Sequence, residues 1–361
     1  MVRRWHLVHY LATVGAALLA LQLYVWIAWL ADGPHQITRF RDHSHVSWTV
    51  ARVFEVGILA AFIFCVIYAV RSSRRLGGLS FDAKLFIAGF SVIWLDLWTN
   101  FAAPIWMYST QWLNLNNPLG YLPGVVNPDL KRLPLPAFHF LNYPVALLAA
   151  GVLVSIAMRR IKDRWPQLST AQLVGLVAIL GMAFDVAYEM PMFRFRLWAF
   201  PGSPNWLALL PGTSAKFPIF EIIPAGLAFA TFGALRYFKD DAGREITERG
   251  LDHLPSRWRG LVSVLALVGL VQLVWIGCTS IQVVGGFYAA PYKPLPAFLV
   301  NDACDAPLSG GGHLLGTRYG PCPHEGGKYP IRHLGPAAAK PCVAGRPVSA
   351  KPVPWPPCPD R

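Results

Sequence analysis

The chain has 361 residues, of which 54% are hydrophobic and 14% charged, with a formal net charge of +13. A soluble globular protein carries roughly 25% charged residues, so this composition excludes a chain that mostly meets water. The positive balance would fit nucleic acid, but its distribution in short blocks between apolar runs argues for membrane topology instead.

A spanning helix needs about 20 apolar residues. Seven segments approach or reach that length in chain order: Val8–Leu30, Ala51–Val70, Leu85–Ala103, His139–Met158, Ala171–Met190, Phe220–Leu235 and Leu261–Gly286. The first is longer than the 7–15 residue apolar region of a signal peptide and has no A-x-A site before Asp32, so it reads as an uncleaved anchor. The sixth is the shortest and ends at Arg236, which can snorkel to the interface. Many of the 14 Trp and 12 Tyr lie near segment ends, as interfacial aromatic belts do. The expected fold is all-α, a polytopic transmembrane helical bundle of about seven spans.

Basic residues mark one set of connections. Arg3 and Arg4; Arg71, Arg74, Arg75 and Lys84; Arg159, Arg160, Lys162 and Arg164; and Arg236, Lys239, Arg244, Arg249, Arg257 and Arg259 total sixteen. The alternate loops hold Arg39, Arg41, Lys131, Arg132, Arg194, Arg196 and Lys216, a total of seven. By the positive-inside rule the amino terminus is cytoplasmic and the carboxy-terminal tail outside.

Residues 1–290 therefore read as one membrane domain, and residues 291–361 as an irregular extracytoplasmic tail rich in Cys, Pro and Gly. Cys65 and Cys278 fall within spans and read as small packing residues. Cys304, Cys322, Cys342 and Cys358 fall in the tail, where an oxidising compartment favours two disulfides. A metal site with His313, His324 or His333 has no C-x-x-C spacing behind it, and no metal or other cofactor is expected.

The acids within spans are Glu55, Asp96, Asp185, Glu189 and Glu221. Charged groups at membrane depth cost several kcal/mol and usually face the bundle interior. All five fall in the outer part of their spans, on the side where His139 and Asn142 open the fourth, and no acid falls in the inner third. Asp96 and Asn100 stand at i and i+4, on one helical face, as do Asp185 and Glu189. The expectation is one site, with Asp96, Asn100, Asp185, Glu189 and Glu221 in catalytic roles. Glu55, His139, Asn142, Arg194 and Arg196 are expected to bind substrate, the two arginines by pairing with Glu189 or Glu221. A neutral carboxylic acid beside an ionised one is a general acid–base pair. The bland alternative is a set of salt bridges and caps near headgroups, which weighs most for Glu55 and Glu221.

The third and fifth spans begin similar hairpins. Each carries a polar pair, then a proline, a loop containing Pro-Gly, and a returning helix with an early proline (Pro144, Pro224). No lysine in the last span supports a retinal, and no pair of mid-span histidines supports haem. No P-loop, G-x-G-x-x-G, H-E-x-x-H or G-x-S-x-G is present.

The second hairpin resembles the AveC-like spirocyclase family. The residues that carry the resemblance are Asp185-Val186-Ala187-Tyr188-Glu189, Leu197-Trp198-Ala199-Phe200-Pro201-Gly202 and Lys216-Phe217-Pro218-Ile219-Phe220-Glu221. The stretch Leu235 to Arg244, Glu248 to Asp252, Asp96 to Asn100 and the loop Tyr108 to Pro128 fit as well, so the resemblance covers about residues 90–255. It implies an actinobacterial integral membrane protein of secondary metabolism, whose named relative dehydrates and closes a dihydroxy ketone into a spiroketal. The expected activity is a membrane-embedded cyclase or dehydratase acting on a hydrophobic polyketide- or lipid-like substrate, with membrane lipid as surroundings and no nucleic-acid partner. Two alternatives stand beside it: a proton-coupled transporter or lipid-binding protein without catalysis, and a structural membrane partner acting through its tail.

Overall fold

The computed structural model describes residues 6–34, 36–37, 44–101, 105–125, 130–131, 133–213, 215–287, 297–299, 305–307, 313–315, 342–343 and 346–347. Among them are seven α-helices: α1 (Leu7–Asp32), α2 (His45–Leu76), α3 (Phe81–Gly89), α4 (His139–Arg164), α5 (Thr170–Arg194), α6 (Ile219–Tyr237) and α7 (Ser256–Phe287). All but α3 are long and apolar enough to cross a membrane. On α2, Val53, Val56 and Phe64 are each 67% exposed, an outward apolar face suited to lipid rather than water.

The expected third span departs from one regular helix. It begins earlier, at Phe81, and α3 passes directly into a 3-10 helix, Phe90–Asn100, with Leu97 off helical geometry at φ −90°, ψ 20°. Nine α and eleven 3-10 residues rise roughly 35 Å, enough for a hydrocarbon core of about 30 Å. Side chains of α1 and α7 support this tighter stretch. Gln22 donates to the Phe90 carbonyl (3.4 Å), Trp275 to the Leu95 carbonyl (3.4 Å), and Trp94 donates to Gln272 (3.0 Å).

Small residues let the helices cross closely. A Cβ on Gly15 of α1 would lie 2.0 Å from the Leu265 carbonyl oxygen of α7, and one on Gly269 would lie 2.2 Å from the Leu11 oxygen. Gly226 of α6 meets the Ala178 carbonyl of α5 in the same way, and Gly89 meets Pro144 of α4. Lipid tails are as apolar as leucine, so close backbone packing supplies attraction that the hydrophobic effect does not.

The basic-loop end is locked by ion pairs. Arg236 donates to both carboxylate oxygens of Asp82 (2.7 and 3.0 Å) and to Ser155 (2.8 Å), while Tyr68 donates to Asp82 (2.7 Å). Lys84 pairs with Glu248 and donates to Ser263 (3.1 Å). The expectation of no acid in the inner third of a span is corrected at the third crossing: Asp82 opens α3 and is buried, because the helix starts four residues before the apolar run.

At the opposite end, loops fold into a lid of short antiparallel strands. β1 (Gln36–Ile37) pairs with β3 (Asn114–Asn116), which pairs with β4 (Pro134–Pro136). β2 (Met107–Tyr108) pairs with β5 (Trp198–Ala199), and β6 (Ala208–Leu209) with β7 (Phe217–Pro218). Trp29 of α1 donates to Asn116 (2.9 Å) and Trp112 to the Leu197 carbonyl (2.8 Å), which ties lid to bundle. Phe298 and Leu299, beyond α7, are buried in the same cluster. Farther on, Asp305–Pro307, His313–Leu315, Cys342–Val343 and Arg346–Pro347 form a small sheet. Cys304, Cys322, Cys358, His324 and His333 lie outside the described residues, as does the expected disulfide pairing.

Replacing Gly15 with alanine forces the α1 and α7 backbones apart and is expected to destabilise the protein by about 1–3 kcal/mol. Gly57→Ala, on a helix surface with nothing within 4 Å, is the control expected to unfold like wild type. Thermal unfolding in nanodiscs separates the two; equal melting temperatures would refute this crossing.

Candidate active site

The elements above bring four acids to one region beneath the lid. Asp96 comes from the 3-10 helix, Asp185 and Glu189 from α5, and Glu221 from the first turn of α6. Asp96, Asp185 and Glu189 are 1%, 5% and 7% exposed. The carboxyl of Glu189 lies within electrostatic range of Asp185, Glu221 and Asp96, and that of Glu221 within range of Asp185 and Asp96. The groups thus form one cluster.

Three of the four acids are held by side-chain donors from other elements. Tyr108 of β2 donates to Asp96 Oδ1 (3.1 Å), and Tyr143 of α4 donates to the same oxygen. Trp198 of β5 donates to Glu189 Oε2 (3.0 Å), and Gln282 of α7 donates to Glu221 Oε2. His139, one turn before Tyr143, brings Nε2 to 4.0 Å from Asp96 Oδ2. Among the described residues Asp96 Oδ2, Asp185 Oδ2 and both ring nitrogens of His139 are buried with no hydrogen-bond partner. Buried polar atoms are nearly always satisfied, so these atoms have the capacity to bond a ligand or water.

Helix geometry decides which expected pairs meet. Asp185 and Glu189 lie on the buried stripe of α5 that includes Val177, Ala178, Gly181 and Phe193, so their i, i+4 spacing does align them. Asp96 and Asn100 do not align, because three residues per turn puts a four-residue step about 120° round the axis. Asn100 instead organises the turn after the 3-10 helix. Its Oδ1 accepts from the amides of Ile105 (2.8 Å) and Trp106 (2.9 Å), and its Nδ2 donates to the Trp106 carbonyl (2.8 Å).

Three other expectations find different settings. Glu55 stays near the rim, paired with Arg52 (2.9 Å) and accepting from the Leu113 amide (3.0 Å). Arg194 and Arg196 are exposed at the end of α5, and among the described residues neither forms an ion pair with Glu189 or Glu221. They follow the last buried turn, and Arg196 adopts φ 57° as the chain turns away. Asn142 is half-buried, off the face that carries His139 and Tyr143.

Four donors escaped the sequence reading: Tyr108, Tyr143, Trp198 and Gln282. Gln282 had a usable signal, as one of two amides, with Gln272, in an otherwise apolar span; Tyr143 had one too, at i+4 from His139. Tyr108 and Trp198 had none, since only β2–β5 pairing sets them opposite each other. Their rings, with Trp112, Phe138 and Tyr188, wall the cluster: Tyr108 meets Trp198 at 6.1 Å, Trp112 meets Phe138 at 4.6 Å, and Tyr188 meets Trp198 at 6.2 Å.

A family model described as Spirocyclase AveC-like matches residues 73–299. No curated protein and no solved structure matches the chain.

Removing the Asn100 side chain strands two buried backbone amides. Asn100→Ala is expected to cost roughly 2–5 kcal/mol of stability, at about 1–3 kcal/mol for each unsatisfied group. Arg194→Ala, at an exposed position, is expected to change stability by less than about 0.5 kcal/mol. Paired denaturation curves test both, and an Asn100→Ala protein as stable as wild type would refute the structural role.

Proposed function

The chain belongs to the AveC-like spirocyclase family, and from that premise we propose that it is a membrane-embedded cyclase and dehydratase acting on a hydrophobic polyketide- or lipid-like substrate. The observation that carries this reading is the cluster of Asp96, Asp185, Glu189 and Glu221 under an aromatic lid, with buried oxygens of Asp96 and Asp185 left unpartnered. The basic-residue asymmetry supports a cytoplasmic amino terminus, which would put the cluster toward the outer leaflet.

The chemistry needs proton transfer without oxidation. In spiroketal closure a hydroxyl oxygen adds to a ketone carbonyl, and the resulting hemiketal hydroxyl takes a proton and leaves as water. The oxocarbenium ion so formed is attacked by the second hydroxyl, whose proton passes to a carboxylate. One water is lost and the acid is regenerated. Asp185 or Glu189 supplies the proton at the leaving hydroxyl, as coupled carboxyls on adjacent turns suit general acid–base work. Asp96 supplies negative charge beside the developing cation. Glu221, held by Gln282, shares the load of charge across the cluster. The aromatic walls exclude water, which strengthens each electrostatic contact and keeps water from competing with the hydroxyl nucleophile.

Asp96→Asn and Asp185→Asn keep shape and remove the ionisable group. Each is expected to lower turnover of the physiological substrate by about 10²–10⁴-fold, measured on purified full-length protein in nanodiscs. Full turnover in both variants would end this reading.

A further inference from the structure

Within the cluster, the gap between Asp96 and His139 has a more specific chemistry than the rest. Asp96 Oδ1 already accepts from Tyr108 and Tyr143, so Oδ2 is the oxygen left to accept. His139 is 5% exposed, and its ring is fixed by Phe138 at 4.3 Å, Tyr108 at 4.9 Å and Tyr143 at 5.3 Å between centroids. Its Nε2 stands 4.0 Å from Asp96 Oδ2, too far for a direct bond and too close to leave each group separately solvated. An oxygen atom seated beside that line, about 2.8 Å from both, satisfies both at an angle near roughly 90°.

We propose that this gap seats the attacking hydroxyl of the substrate, which donates its proton to Asp96 Oδ2 and accepts a hydrogen bond from His139 Nε2–H. The assignment rests on the cyclase reading and names the position of its nucleophile. The seat asks for one donor and one acceptor on a single atom, which is what a hydroxyl offers. A ketone or ether oxygen has no proton for Asp96, a carboxylate has none either, and an ammonium has no lone pair for His139. One lone pair of the seated hydroxyl remains free, and attack through it forms the carbon–oxygen bond as the proton moves to Asp96; transfer of that proton within the cluster to the ionised Asp185 or Glu189 resets the acid. Among the described residues no lysine or arginine forms an ion pair with Asp96, Asp185, Glu189 or Glu221. Arg194 and Arg196 are exposed, Arg52 is bound to Glu55, and Lys216 donates to the carbonyls of Pro201 and Ser203.

The test uses full-length protein in nanodiscs and a symmetric dihydroxy ketone with four methylenes between its carbonyl and each hydroxyl. Two companion probes carry methyl ethers in place of both hydroxyls, or a carboxylate in place of one. Binding is read from tryptophan fluorescence, and spiroketal release separately by gas chromatography. The dihydroxy ketone is expected to bind wild type at least about tenfold more tightly than either companion, the loss typical of one hydrogen bond to a charged group. His139→Phe is expected to weaken the dihydroxy ketone by a similar factor and to leave the diether unchanged, with His139→Gln, which keeps a donor, partly restoring binding. Equal binding of diether and dihydroxy ketone by wild type would overturn the seat, as would preference for the carboxylate, absence of saturable binding, or a His139→Phe loss shared by all probes. Selective binding with no spiroketal released would instead leave the seat standing and remove the cyclase reading.

Discussion

A carboxyl group inside an apolar bundle must find a hydrogen-bond donor or a counter-charge, since the desolvation of an ion there costs several kcal/mol. This protein buries acids at both ends of its bundle and treats them differently. At the basic-loop end Asp82 is matched by the fork of Arg236, a charged pair that holds α3 against α6. Under the lid, Asp96, Glu189 and Glu221 are met by neutral donors from Tyr, Trp and Gln. Neutral donors orient a carboxyl without cancelling its charge, so it stays available to a substrate. The first arrangement stabilises; the second is suited to react.

The two similar hairpins meet through this requirement. Each sends a strand into the lid immediately after its acid-bearing helix, and the strands pair antiparallel with Tyr108 opposite Trp198. Each aromatic residue then turns back to the acid of its own hairpin, Tyr108 to Asp96 and Trp198 to Glu189. The hairpins differ in helix type. The 3-10 winding before Asn100 releases that side chain to cap the following turn, whereas regular α5 keeps Asp185 and Glu189 aligned.

The two polar ends are separated along the third crossing. Beyond Lys84, which is paired with Glu248, the described side-chain contacts on the way to Asp96 are those of Ser91 with the Ala88 carbonyl, Gln22 with the Phe90 carbonyl, Trp275 with the Leu95 carbonyl, and Trp94 with Gln272. None of these side chains titrates near neutral pH. A relay of protons from one face to the other would need such groups, so this arrangement favours chemistry confined under the lid.

Much of the architecture was legible because lipid imposes a length and a composition on every crossing. The apolar runs marked the helices, and the depth of Asp96, Asp185, Glu189 and Glu221 marked the end at which they gather. The alignment of Asp185 with Glu189 followed from a period of 3.6 in a regular helix. The same rule failed for Asp96 and Asn100, because the choice between 3-10 and α winding rests on contacts with α1 and α7 that lie far away in sequence. Arg194 and Arg196 looked like partners by proximity along the chain, yet the turn after Phe193 carries them to the surface. Which donor serves which acid, and that His139 faces Asp96 rather than lipid, was decided only when the lid strands paired and α4 packed against the third crossing. Local sequence sets the period and polarity of each segment; the direction a buried side chain faces is set by neighbours hundreds of residues away.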